Sequence, residues 1–200
     1  MTASSNATVQ MYDLAGSDES LRFSPFCWRA RFAVAHKRLA LDTIPWRYTD
    51  KARIAVHGAD RVPVILDRGT AIADSWRIAD YLEDTYPDRP SLFGGSAGRG
   101  LARAISNWAD LVLHPLVLRM KIGDVYATIH ERDRDYFRQS REARFGRTLE
   151  QLTAEAHAAV EPFHNALEPL RRTLEQQAFL SGQEPLYADY AVCGAFQWIS

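Results

Sequence analysis

The sequence predicts an α/β domain followed by an all-helical one, and three observations lead there. Up to Asp88, segments with strand-forming residues alternate with segments of helical spacing. From Asp88 to Gly100 the composition shifts to Pro, Ser and Gly, which marks a boundary. Beyond Gly100, apolar residues recur almost entirely at helical spacing. The expected domains are residues 1–88 and 96–200.

The first half reads in order as follows. Thr8 to Leu14 has the residue types of a strand, and Ala15-Gly16-Ser17-Asp18 breaks it. Ser24 and Pro25 then open a helix whose Phe26, Ala30, Ala33 and Val34 share a face, with Lys37 and Arg38 at its negative end. Leu41 to Tyr48 is a second strand, and Pro45 within it argues for a sheet edge. Thr49 to Asp60 is polar and irregular, with room for one helical turn. Arg61 to Asp67, the turn Arg68-Gly69 and Thr70 to Ala73 form a hairpin. Asp74-Ser75 caps a helix with Ile78, Ala79 and Leu82 on one face, and Tyr86-Pro87-Asp88 ends it. Strand–helix–strand, then strand–strand–helix, is the order of a thioredoxin-like domain.

In the second half, Ala102 to Ile129 is a long apolar-periodic helix with interruptions expected at Pro115 and Gly123. Arg132 to Arg147 is densely charged and reads as a solvated, salt-bridged helix rather than a nucleic-acid surface. Thr148 to Gln177 is helical with breaks at Pro162 and Pro169, and Ser181-Gly182 stops it. A last helix runs from Tyr187 through Val192, Phe196 and Ile199 to Ser200. Trp108 and Trp198 are assigned to the core, and Cys193 beside Gly194 and Ala195 to close helix packing.

Composition excludes several classes. Hydrophobic residues make up 46% and charged residues 24%, ordinary for a soluble globular protein. A chain of 200 residues can bury a core without disulfides or metals. A formal net charge of -1 gives no electrostatic reason to expect nucleic acid or an anionic membrane. No apolar run approaches the roughly eighteen residues that span a bilayer. Met1 to Asn6 is small and polar, so no signal peptide is expected. Cys27 and Cys193, far apart, fit a reducing, cytoplasmic setting. The six histidines show no ligand spacing on a shared helix face, so no metal is expected.

The start of the first helix carries the chemistry. Ser24 sets a hydroxyl beside unpaired backbone N–H groups at the positive end of a helix, a place that can hold an anion, thiolates included. Alone, Ser-Pro is an ordinary helix cap.

Phe23-Ser24-Pro25-Phe26-Cys27, Arg61-Val62-Pro63-Val64, Asp74-Ser75-Trp76, Tyr86-Pro87-Asp88 and Ala188-Asp189-Tyr190 supply the wider context. With these motifs in this order, nearly the whole chain resembles the cytosolic glutathione transferases. Within that superfamily it is most similar to the bacterial β-etherases and their etherase-like fungal relatives. That narrower likeness rests on Asp74 to Ala79, Arg134 to Glu142 and Leu167 to Arg172.

The resemblance implies a thioredoxin-like N-terminal domain, an all-α C-terminal domain, glutathione as co-substrate and a homodimer. It gives Ser24 the contact to the glutathione sulfur. It makes the Val62-Pro63 bond cis and pairs the Val62 backbone with the cysteinyl backbone of glutathione. Asp74 and Ser75 would take the γ-glutamyl end, Ser75 and the helix N–H groups holding its carboxylate and Asp74 reaching the ammonium. For the glycyl carboxylate the irregular stretch offers Lys51, Arg53 and His57, of which Lys51 is favoured. Trp108, Leu113 and Met120 are the candidates for the co-substrate wall. The family's usual chain continues past Ser200, so part of the pocket roof is expected to be missing.

Two departures stand out. Ser24-Pro25-Phe26-Cys27 looks like a redox motif whose first cysteine has become serine, and Cys27 is expected to pack rather than react. Leu186 occupies the position where the family often has a Ser or Thr cap, leaving Asp189 as half of a capping box. The resulting expectation is a transferase in which glutathione thiolate attacks a hydrophobic electrophile, with aryl ether cleavage as the etherase-like version. A glutathione- or ligand-binding module with little turnover is the alternative.

Overall fold

The computed structural model describes residues 8–198. Met1 to Asn6, and the predicted end of the last helix at Ile199 and Ser200, lie outside the described residues. The chain begins with β1 (Val9–Leu14), α1 (Pro25–His36), β2 (Leu41–Trp46), α2 (Lys51–Ala55), β3 (Val64–Asp67), β4 (Thr70–Ala73) and α3 (Ser75–Thr85). The sheet order is β2-β1-β3-β4, with β1 parallel to β2 and antiparallel to β3, and β3 antiparallel to β4. Val9 and Met11 of β1 and Val64 and Ile65 of β3 are fully buried, as inner strands require. β2 is an edge strand, as Pro45 indicates. Arg68 (φ 50°) and Gly69 (φ 79°) both take positive φ, the geometry a two-residue hairpin turn needs.

The helical half contains α4 (Ser96–Trp108), α5 (His114–Thr128), α6 (Arg134–Phe145), α7 (Leu149–Ala154), α8 (Val160–Ala166), α9 (Glu168–Leu174) and α10 (Tyr187–Phe196). Between α4 and α5 lies a π-helical turn, Ala109–Leu113, in which the His114 N–H bonds to the Ala109 carbonyl. Pro115 explains it: the proline ring clashes with the carbonyl four residues back, and a wider turn makes room. Gly123, in contrast, does not interrupt α5. Its function is close approach, since a Cβ there would lie 2.9 Å from the Thr153 side chain. Pro162 also does not mark the break; it sits inside α8, and the irregularity precedes it as a 3-10 turn at Ala156–Ala159. Pro in the first turn of a helix costs no hydrogen bond. No helix among the described residues is long and apolar enough to cross a membrane.

Two hydrophobic clusters carry the packing. The larger joins the sheet, α1 and α3 to α5, α6 and the start of α10, with Trp46, Phe93, Phe137 and Tyr187 among its buried rings. The smaller, inside the helical half, contains Leu113, Val117, Phe163 and Val192. Polar ties cross between the halves. Buried Arg29 on α1 donates to the Ala191 carbonyl at 3.0 Å and pairs with Asp110 at 2.7 Å. Asp133, fully buried, accepts from the Tyr48 N–H, the Thr49 N–H and the Thr49 hydroxyl at 3.1, 3.0 and 2.7 Å. Gly194 lets α10 touch α1: a Cβ there would sit 2.5 Å from the Pro25 carbonyl oxygen. Cys193 beside it is exposed, so the close packing expected of this segment belongs to Gly194 and the fully buried Ala195.

Two charges expected at the negative end of α1 have other roles. Lys37 is fully buried, pairs with Glu83 at 2.6 Å and donates to the Tyr86 carbonyl. Arg38 takes φ 54° as the chain leaves the helix. At α10, Asp189 receives the Leu186 N–H at 3.0 Å and the Leu180 N–H at 2.7 Å. Its carboxylate thus caps the helix and also fastens the loop before it, which compensates for the side-chain oxygen Leu186 lacks.

Candidate active site

Ser24 is the N-cap of α1, with φ -69° and ψ 120°. Its Oγ accepts the Cys27 N–H at 3.3 Å, and its side chain is also in hydrogen-bonding contact with the Cys27 thiol. The residue is 5% exposed, and it lines a cavity of about 330 Å³. A second cavity of about 370 Å³ adjoins the first, and Phe26, Asp60, Arg61 and Val62 line both. Every residue predicted to touch glutathione lies on this pair. Ser24, Lys51 and Val62 line the first, and Val62, Pro63, Asp74 and Ser75 line the second.

The Val62-Pro63 bond is cis. Among the described residues no group hydrogen-bonds the Val62 backbone, so its N–H and C=O are open to a ligand. Asp74 takes φ 79°, and one of its carboxylate oxygens accepts both the Trp76 and Arg77 N–H groups at 3.0 Å. This corrects one expectation. Those two N–H groups of α3 are taken by Asp74 itself, so a ligand carboxylate is left with Ser75. Lys51 donates to the Asp60 carbonyl at 2.6 Å and lies 5.4 Å from the Trp46 ring and 5.5 Å from the Tyr136 ring. Arg53 instead reaches the Pro45 carbonyl at 2.8 Å, and His57 packs against Tyr12. Of the three, Lys51 alone lines either cavity.

Cys27 is fully buried, and its thiol is pushed well above its ordinary value by burial and by the charge of Asp13. A thiol held neutral and out of reach is a packing residue.

The wall opposite Ser24 departs from the sequence reading. Trp108, Leu113 and Met120 do not line the cavity; they belong to the smaller core cluster. Apolar character picks out residues facing that core, whereas the cleft face of α5 lies one position further round, at His114 and Leu118. Tyr136, Arg141 and Arg144 of α6 complete the wall with Trp198, which therefore faces the cleft as well as packing on the core. The expected salt-bridged character of α6 holds on its outer side, where Arg138 pairs with Glu142 and Glu150. Nothing in the sequence alone distinguishes Arg138 from Arg141 and Arg144, since Arg138, Arg141, Arg144 and Arg147 all recur at intervals of three. His114 is wedged between the Phe26 ring at 5.1 Å and the Trp198 ring at 4.7 Å, and its Nδ1 has no hydrogen-bond partner among the described residues. Burial first, then Arg29, Arg144 and Arg141, bring its pKa down to about 4.

The mixed sheet, the cis-proline beside the start of α1 and the docked helical half define a class: a thioredoxin-like domain joined to an all-helical one. The chain belongs to the glutathione S-transferase family, whose N-terminal domain matches residues 20–90 and whose C-terminal domain matches residues 100–200. It is 25% identical to a solved glutathione transferase of Phanerochaete chrysosporium, with a TM-score of 0.88 over 96% of this chain and 84% of that one. It is also 25% identical to a glutathione S-transferase of Ceriporiopsis subvermispora solved in complex with glutathione, with a TM-score of 0.86 and the same 96% and 84% coverage. A glutathione S-transferase-like protein of Aspergillus flavus is 28% identical over 142 residues, 64% of this chain and 50% of that protein. The chain spans about half the length of the curated relatives it matches.

Proposed function

We propose that the protein is a glutathione-dependent transferase that uses Ser24 to hold the glutathione thiolate. The observation that carries this reading is the Ser24 hydroxyl, at the N-terminus of α1, lining the same cavity as Lys51 and Val62, whose backbone has no hydrogen-bond partner among the described residues. Glutathione lies across the two cavities in this reading. Its cysteinyl backbone pairs with Val62 as an added strand would. Its glycyl carboxylate meets Lys51, and its γ-glutamyl end meets Asp74 and Ser75. A free thiol titrates near roughly 8.5, and lowering that by about 1.5 to 2 units means favouring the anion by about 2 to 3 kcal/mol. A hydroxyl donor and the dipole of α1 together supply this range.

The thiolate sulfur then attacks an electrophilic carbon of a co-substrate held against Tyr136, Trp198 and the rest of the opposite wall. In the etherase-like version the carbon–sulfur bond forms as the aryl ether carbon–oxygen bond breaks. The electron pair leaves on a phenolate, which takes its proton from solvent. The etherase-like sequence segments Asp74 to Ala79, Arg134 to Glu142 and Leu167 to Arg172 support this version. Ultraviolet difference absorbance of bound glutathione against pH tests the core of the proposal. Thiolate should be visible at neutral pH, and Ser24→Ala should raise its titration by a unit or more. Binding with no thiolate signal would replace the transferase reading with that of a carrier.

A further inference from the structure

We propose that the co-substrate is an aromatic compound bearing a carboxylate, its ring against Tyr48, Tyr136 and Trp198 and its charge on Arg141 and Arg144. This rests on the glutathione reading above and narrows it: Arg141 donates to the Ser140 hydroxyl at 3.1 Å and stacks 4.6 Å from the Phe137 ring, and Arg144 lies 5.4 Å from the Phe145 ring, but an apolar electrophile would leave both charges unneutralised. Arg141 and Arg144 line the cavity, and among the described residues neither has an acidic partner. The Nε of Arg141 is buried and has no hydrogen-bond partner among the described residues. A guanidinium left incompletely bonded beside a cavity is costly unless a ligand completes it.

The other charges facing the cavity are accounted for. Asp60 is held by Arg61 through two bonds of 3.0 Å, and Lys51 is the proposed partner of the glycyl carboxylate. Asp133 is occupied by Tyr48 and Thr49, and Glu142 by Arg138. Burial pushes the Tyr48 phenol up to about 12 despite the pull of Arg141, so it stays neutral and does not serve as the missing anion. His114 at the floor is neutral as well, held down to about 4. The wall thus offers aromatic faces and a net positive charge. Glutathione's two carboxylates are satisfied elsewhere, so the remaining anion is the co-substrate's. Paired arginines suit a planar carboxylate because each offers a fork of donors.

The test is binding of 2-naphthoate and its neutral analogue 2-naphthamide to the full chain, read by tryptophan fluorescence with and without saturating S-methylglutathione. Naphthoate should bind at least about tenfold more tightly than the amide. Arg141→Gln with Arg144→Gln should remove that preference while leaving S-methylglutathione affinity unchanged. Arg144→Gln alone, at the exposed rim, should reduce it in a protein whose folding is not in question. Equal binding of acid and amide overturns the inference. So does a loss confined to S-methylglutathione, which would assign the arginines to the tripeptide. Failure of S-methylglutathione to bind at all would count against the glutathione reading, and the acid-over-amide ratio measured without it would still decide the inference.

Discussion

At the scale of single residues, His114 shows how a side chain of no evident sequence role becomes informative through its surroundings. Six histidines without ligand spacing say nothing individually. The π turn forced by Pro115 brings this one between two aromatic rings, where it stays uncharged. Its pKa is about 4 in the folded chain and about 6.5 in the unfolded one, so between those values the unfolded chain binds more protons. The stability it confers is full above about pH 6.5 and is lost as pH falls toward 4. Urea midpoints should reveal about 2 kcal/mol of this loss between pH 7 and pH 5, and His114→Phe should remove that part. An identical pH difference in wild type and variant would mean that other groups cause it. Ser24, Val62, Pro63, Asp74 and Ser75, which line the paired cavities, stand out in the sequence because each sits in a short motif with fixed local geometry, whereas Lys51 comes from an irregular stretch that offers no such motif. Arg141, Arg144 and Trp198 do not stand out, because they reach the cleft through the packing of helices distant in sequence.

At the scale of elements, α1 and α10 meet with almost no space between them. The Pro25 carbonyl, next to Ser24, lies where a Cβ of residue 194 would be. Gly194→Ala must push α10 away or shift the start of α1, at a cost of about 1 to 3 kcal/mol. The expected outcome is a lower melting temperature together with a weaker thiolate signal, since the shift lands on Ser24. An unchanged melting temperature would show that α10 can back away freely. Strands, hairpin and helices of the first half followed from periodicity and turn residues. The second half was harder to delimit, because Pro115 produces a wider turn rather than a break, and Pro162 sits harmlessly in a first turn.

At the scale of the whole molecule, Asp133 fastens the segment that carries Lys51 to the helix that carries Arg141. Removing its carboxylate would strand the part-buried Tyr48 and Thr49 N–H groups. Asp133→Ala should therefore cost about 3 kcal/mol and weaken S-methylglutathione binding, while Asp133→Asn recovers part of both. Denaturation and calorimetric titration of the two variants check this. A stability loss with unaltered ligand affinity would mean that the tie holds the fold without aligning the cleft. The sequence identified Asp133 only as one charge among many on a polar stretch; its value depends on a turn 84 residues earlier in the chain.

The outer strand of the sheet has a consequence for how copies of the chain can associate. β2 is one of the two edges, Pro45 within it has no N–H to offer, and the Pro45 carbonyl is already taken by Arg53 at 2.8 Å. A strand from another molecule would find this margin blunted at its middle, so fibre-like growth by strand addition is discouraged there. Self-association across this margin has to proceed through side-chain surfaces instead, which leaves β4, the opposite margin, as the one strand of the described sheet open to pairing with another chain.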